Sequence, residues 1–145
     1  MLGYMILFIY LLFMAGYDLK RREIQLGISA AVAVLLAVVQ IYGIFQGETT
    51  WLNAFSGVVV GILLIGVSVV TRGEIGIGDG ITFIISGMVL GIFENGVLLF
   101  ISLLFTAFTG GFLFLIKRVG RKYTMPFVPF VFVGYGVICL WNTIC

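Results

Sequence analysis

The sequence predicts an all-α membrane protein with six transmembrane helices and with both termini outside. Its 145 residues are 62% hydrophobic and only 10% charged. A chain this short cannot bury so much apolar surface inside itself, so lipid must cover most of it. The apolar residues fall into six runs, and the basic residues lie in only three of the connections. No linker or repeat divides the chain, and we expect one membrane-embedded domain over residues 1–145.

Six apolar runs carry the predicted helices. A helix needs about 20 residues to cross the hydrocarbon, within a range of about 17 to 25. Five of the runs reach or approach this length, and the fourth is short. They extend from Met1 to Tyr17, Ile24 to Phe45, Trp51 to Val70, Ile81 to Phe93, Gly96 to Ile116, and Met125 to Ile144.

The basic residues predict the topology. The connections after the first, third and fifth runs hold all eight of them: Lys20, Arg21, Arg22, Arg72, Lys117, Arg118, Arg121 and Lys122. Loops rich in lysine and arginine stay in the cytoplasm, so these three connections should share that face. An even number of crossings must then separate the second of these loops from the third. The short fourth run is therefore predicted to span the membrane as well.

Two acids lie at the edges of the predicted spans. Asp18 ends the first apolar run, Asp79 precedes the fourth, and the topology places both at the cytoplasmic face. Acids at the edge of the hydrocarbon are costly and usually functional. Two carboxylates that share one water can hydrolyse a peptide, because the ionised acid accepts a proton while the neutral acid polarises the carbonyl. The sequence contains no histidine, which excludes a Ser-His or Cys-His pair, so the two acids favour an aspartyl endopeptidase.

The helix dipole gives a first indication of how the two acids divide their roles. Asp79 lies at the N-terminal end of its predicted helix, where the dipole favours the anion. Asp18 lies at a C-terminal end, where the dipole favours the neutral acid. We therefore expect Asp79 to act as the base, although each effect is worth only about 0.3–1 kcal/mol.

Glycines surround the second acid. Gly76 and Gly78 precede Asp79, and glycine permits positive φ and leaves room for an approaching backbone. A protease that cleaves an extended peptide beside its catalytic acid needs this clearance. A glycine-rich turn between two spans is the simpler interpretation. We favour the functional interpretation, because Asp79 lies among these glycines and because Asp18 is a second acid at the end of a predicted span.

Three motifs, in order along the chain, resemble those of the type IV prepilin peptidases, a family of GxGD membrane aspartyl proteases. Gly76–Asp79 matches the GxGD motif, and Asp18 with its following basic residues matches the motif of the first acid. Met125–Phe130 is similar to the PFxPF-type segment that opens the last span of the family. The resemblance implies that Asp18 and Asp79 are catalytic. It also implies that Pro126, Phe127 and Pro129 line the active site.

The chain departs from the family pattern at two places near these motifs. It has Ile24-Gln25 where members often have Ile-Pro, and Ile81 where many have lysine. It also lacks the cysteine-rich domain of the longer, bifunctional members, so it looks like a compact form with peptidase activity only.

The resemblance implies a substrate and a location. The substrates would be prepilin-like proteins, whose short basic leader is removed at the cytoplasmic face of a prokaryotic inner membrane. Glu74 is a candidate to bind that leader, although a solvated loop acid needs no such role. Membrane lipid is the other expected partner, and we expect no nucleic acid, cofactor or metal.

A small proton-coupled transporter is the competing hypothesis, with Asp18 and Asp79 as relay acids. A transporter would more naturally hold an acid near the middle of the bilayer, in a broken helix. Both acids here lie at the ends of predicted spans, which favours the protease.

Overall fold

The computed structural model describes residues 2–21, 24–47, 50–71, 76–117 and 125–144. Within these ranges the regular structure is entirely helical, which confirms the predicted all-α class. The helices are α1 (Leu2–Arg21), α2 (Leu26–Phe45), α3 (Trp51–Val70), α4 (Ile77–Lys117) and α5 (Val128–Ile144).

Four of these helices are long and apolar enough to cross a membrane. They are α1, α2, α3 and the part of α4 from Ile77 to Leu113, while the apolar part of α5, Val128–Asn142, is shorter. The protein is therefore a multi-pass membrane protein. The count of six spans and the outside location of the termini stay predictions, because helix length and composition do not show which side of the membrane a helix end faces.

The long helix α4 reverses direction at Gly91, where φ is 74° and ψ is −178°. The Nδ2 of Asn95 donates a hydrogen bond to the Phe83 carbonyl at 2.9 Å. In a straight helix these residues would lie about 18 Å apart. Residues 92–117 therefore fold back along residues 77–90, and we call the two parts α4b and α4a. The turn lies before the predicted Glu94-Asn95 connection, because only glycine adopts this φ without strain.

A buried polar cluster holds this reversal together. Asn95 is fully buried, and its Nδ2 also donates to the Gly57 carbonyl of α3 at 2.9 Å. Its Oδ1 accepts a hydrogen bond from Ser86 Oγ at 2.7 Å. Gln40 of α2 donates to the carbonyl of Met88, one of the last carbonyls of α4a. Carbonyls freed at a helix end need such partners inside a membrane.

Glycines allow α3 and α4a to pack with their backbones in contact. A Cβ added at Gly57 would overlap the carbonyl group of Gly87, and one added at Gly61 would overlap the backbone of Ile84. Small residues at such interfaces are typical of helix pairs in membranes, where close packing replaces the hydrophobic effect.

The buried core is formed mainly by α1, α4 and α5, together with Leu36 of α2. Helix α5 runs antiparallel to α1: its first residue, Val128, contacts Asp18, and the hydroxyl of Tyr135 donates to the Tyr4 carbonyl at 2.9 Å. Outside this core, most large apolar side chains of α2 and α3 are exposed, as lipid-facing residues would be.

Candidate active site

Asp18 lies on the buried face of α1. It is only 6% exposed and continues the stripe formed by Leu7, Leu11 and Met14. These residues recur at the spacing of one helix face, so the rotation of α1 that buries its apolar stripe also turns Asp18 into the helix bundle.

The Asp18 carboxylate binds the N-terminus of α5. Its Oδ2 accepts a hydrogen bond from the backbone N–H of Val128 at 3.0 Å, and the carboxylate also accepts from the backbone N–H of Phe127. The first N–H groups of a helix have no partner within the helix, and Asp18 supplies one across 110 residues of sequence.

Asp79 occupies the first turn of its own helix. Its carboxylate accepts a hydrogen bond from the Gly76 backbone N–H, and its own N–H donates to the Gly76 carbonyl at 3.0 Å. An acid at this position that reaches back to the start of its helix forms half of a capping box. Asp79 is partly exposed, so it also remains open to a reacting molecule.

Both carboxylates therefore face a helix N-terminus, Asp18 that of α5 and Asp79 that of α4. This finding removes the basis for the dipole argument, which considered Asp18 only at the end of α1. The helix dipoles therefore do not indicate which of Asp18 and Asp79 acts as the base and which as the acid.

The two acids are close enough for their charges to repel each other. Contacts between α1 and α4a give their relative heights, since Gly3 lies beside Val89 and Tyr10 beside Thr82. In this antiparallel arrangement, Asp79 does not lie level with Asp18. It is displaced toward the N-terminus of α1 by roughly one and a half helical turns, or about 7 Å along the helix axis. Side chains tilt toward the N-terminus of their own helix, so on antiparallel helices the two carboxylates tilt toward each other.

Gly78 has a packing function. A Cβ added there would lie 2.7 Å from Cδ1 and 2.8 Å from Cβ of Ile24, which directly precedes α2 with Gln25. The residue is helical, so the expected positive φ is not used at Gly78. Its missing side chain instead allows the start of α4 to approach the start of α2.

Residues 5–115 match the sequence model of the Type IV leader peptidase family. The chain belongs to this family. The suspected resemblance is thereby confirmed, and membership makes the protein a peptidase. No curated protein and no solved structure matches the chain.

The family match covers both acids and ends before α5. The structure nevertheless brings the predicted Pro126–Pro129 segment to the site, because the N–H of Phe127 binds Asp18. The Phe127 ring also packs against Phe83 of α4a, with 6.2 Å between the ring centroids. Pro129 lies in the first turn of α5, where a missing N–H costs nothing. Glu74 lies outside the described residues.

Sequence reasoning missed three buried polar residues beneath the two acids of this leader peptidase: Tyr10, Ser29 and Thr82. The sequence feature that could have indicated them is the presence of hydroxyl groups inside apolar runs, where polar groups usually have hydrogen-bond partners. Which hydroxyl meets which could not be predicted, since that depends on the rotation of three helices. Among the described residues, no group of three or more His, Cys, Asp or Glu side chains could hold a metal ion.

Proposed function

We propose that the protein is an aspartyl endopeptidase that removes the leader from type IV prepilin-like proteins at the cytoplasmic face. The observation that carries the proposal is the convergence of Asp18 and Asp79. They come from different helices, face helix N-termini, and lie within electrostatic reach of each other. Family membership over residues 5–115 supports a leader sequence as the substrate.

The chemistry follows from two carboxylates that share one proton, since two adjacent anions repel. The ionised acid takes a proton from a water molecule, whose oxygen attacks the scissile carbonyl carbon. The neutral acid donates its proton to the carbonyl oxygen as the tetrahedral intermediate forms. As the intermediate collapses, one of its hydroxyl groups returns a proton to the acid that donated it, the carbonyl re-forms and the C–N bond breaks. The acid that took up the water proton then passes a proton to the leaving amine.

The proposal includes the predicted topology of six spans with both termini outside, in a prokaryotic inner membrane. The fold-back at Gly91 supports two crossings within α4. Residues 77–90 extend for only about 21 Å, less than the hydrocarbon thickness of about 30 Å. Packing of α4a against α3, backbone to backbone, would shield this short crossing from lipid. Membrane lipid and a prepilin-like substrate are its expected partners.

Replacement of either acid tests the proposed function. Asp18→Asn and Asp79→Asn should each abolish cleavage of a co-expressed prepilin while membrane insertion is retained, because each acid has a distinct role in one pair. Cleavage is measured by mass spectrometry of the prepilin N-terminus. Glu94→Gln is the matched control, since this acid contacts Asn142 at the other end of α5. Substantial turnover by either aspartate variant would contradict the assignment.

The same experiment separates the protease from the transporter hypothesis. A transporter with relay acids would leave the prepilin intact in wild-type cells, whatever the state of Asp18 and Asp79.

A further inference from the structure

A cluster of three hydroxyl groups joins the helices that carry the site. The Tyr10 hydroxyl of α1 lies 3.0 Å from Ser29 Oγ of α2, and the same hydroxyl lies beside Thr82 of α4a. Ser29 and Thr82 are fully buried, and Tyr10 is 3% exposed. Tyr10 therefore contacts both other helices inside the bundle.

The cluster continues to the backbone of the site. Thr82 Oγ1 donates to the Gly78 carbonyl at 3.1 Å, and Ser29 Oγ donates to the Gln25 carbonyl at 3.2 Å. Gly78 directly precedes Asp79, and Gln25 follows the Ile24 that packs against Gly78. Both ends of the cluster thus reach the contact between the starts of α2 and α4.

The donors in this cluster can be counted. Ser29 and Thr82 each use their hydrogen on a carbonyl of their own helix start, a local bond that serine and threonine often make. These two bonds by themselves do not connect helices. The Tyr10 hydroxyl makes the connection, because its single hydrogen remains to be donated to Ser29 Oγ while its oxygen lies beside Thr82.

Tyr10 also lies at the right place to influence the two acids. It is about two helical turns from Asp18 along α1, and Thr82 follows Asp79 by about one turn of α4a. The bond from Tyr10 to Ser29 therefore restrains the start of α2, which packs against the start of α4. The contact of Tyr10 with Thr82 restrains the height of the Asp79 helix against the Asp18 helix.

We propose that Tyr10 is a positioning residue, whose hydroxyl sets the position of Asp79 relative to Asp18 through Thr82 and Ser29. The inference rests on the proposed aspartyl peptidase function. Displacement of a catalytic group by about 1 Å can cost about a hundredfold in rate. Loss of the hydroxyl should therefore lower kcat, while KM changes little because Tyr10 is buried away from the substrate.

Kinetics of Tyr10→Phe provide the first test. We expect kcat for prepilin cleavage to fall by about tenfold or more with an unchanged KM. The control is Tyr42→Phe, which also loses a hydrogen-bonded hydroxyl, at a residue that is 66% exposed. Ser29→Ala removes the α2 partner of the same hydroxyl, and it carries the test if Tyr10→Phe does not accumulate in the membrane. The variant that combines the two substitutions should have a kcat no lower than that of the less active single variant, because both remove the same interaction. A wild-type kcat in Tyr10→Phe overturns the proposal.

A second measurement does not depend on activity. Asp18→Cys and Asp79→Cys are combined in a chain whose Cys139 and Cys145 are replaced by serine, and a short bifunctional thiol reagent measures how often the two positions meet. Adding Tyr10→Phe should change the crosslinking rate severalfold, whereas Tyr42→Phe should not. An unchanged rate overturns the proposal whatever the effect on cleavage. If the wild-type chain cleaves no prepilin, the proposed function fails, and the crosslinking rate still decides whether Tyr10 positions the two acids.

Discussion

At the scale of single residues, Asp18 and Asp79 each bind the backbone N–H groups of a helix start. These bonds fix the orientation of each side chain. A carboxylate has about four acceptor positions, so one or two N–H bonds leave room for a water molecule. The contacts that would explain each acid as a helix cap would thus also preorganise it for the proposed catalysis.

Gly78 provides a prediction at the same scale. Gly78→Ala would place a Cβ 2.8 Å from the Ile24 Cβ, too close for either backbone to remain where it is. The start of α4 should shift, with a loss of about 1–3 kcal/mol in stability and of about tenfold or more in cleavage rate. Thermal unfolding and prepilin cleavage measure the two effects.

Gly66→Ala is the control for this prediction. Gly66 lies in α3, and a Cβ added there meets nothing within 4 Å. Its stability and activity should stay near wild type. Wild-type cleavage by Gly78→Ala would show that the close contact between the starts of α2 and α4 is dispensable.

At the scale of helices, the N-terminus of α5 completes the surroundings of Asp18. Val128 is the first residue of α5, fully buried, and its N–H is the donor to Asp18 Oδ2. The contact depends on the backbone and is therefore tested by removing the N–H group itself.

Val128→Pro deletes this donor with little other change, because proline is well tolerated at the first position of a helix. A proline also restricts the residue before it, here Phe127, which lies just before α5 and whose carbonyl accepts the first bonds of the helix. Residues at this capping position are typically extended already, so the restriction is compatible with the fold. We expect cleavage to fall by about tenfold or more while α5 still inserts. Val128→Ala keeps the N–H and should retain more activity than Val128→Pro. Equal activity of the two variants would show that this hydrogen bond does not matter for catalysis.

At the scale of the whole molecule, the fold-back at Gly91 gives α4 two antiparallel parts and returns the chain to the side from which α4 began. The predicted distribution of basic loops requires this geometry, since the loops after the third and fifth runs should share one face. Topology and fold therefore agree on the reversal, and the orientation of the termini rests on the predicted topology alone.

Reporter fusions test the orientation. Fusions at Glu48 and Glu94 should report an outside location, and fusions at Arg72 and Arg121 an inside one, because all basic residues lie in three connections. An alkaline phosphatase and a fluorescent protein, each active on one side only, provide matched readings at every position. An inside signal at Glu94 would mean that α4a does not cross the membrane.

Much of the fold could be predicted from hydrophobicity alone. The predicted third run, Trp51–Val70, coincides with α3, and the second run differs from α2 by two residues at its start. The turn at Gly91, the Asp18–Val128 bond and the Tyr10 cluster could not be predicted. They depend on how each helix is rotated, and a helix that is apolar on every side gives no periodic signal of its inward face.

The bond between Asp18 and Val128 has a consequence for biogenesis. The ribosome makes Asp18 first, and the partner of its carboxylate emerges 110 residues later. At about 5–20 residues per second, several seconds of synthesis separate the two. During that interval Asp18 has no α5 amide to bind, so a nascent chain holds both acids before it holds a finished site. Proteolytic competence should then appear abruptly, when the segment from Val128 onward enters the bilayer.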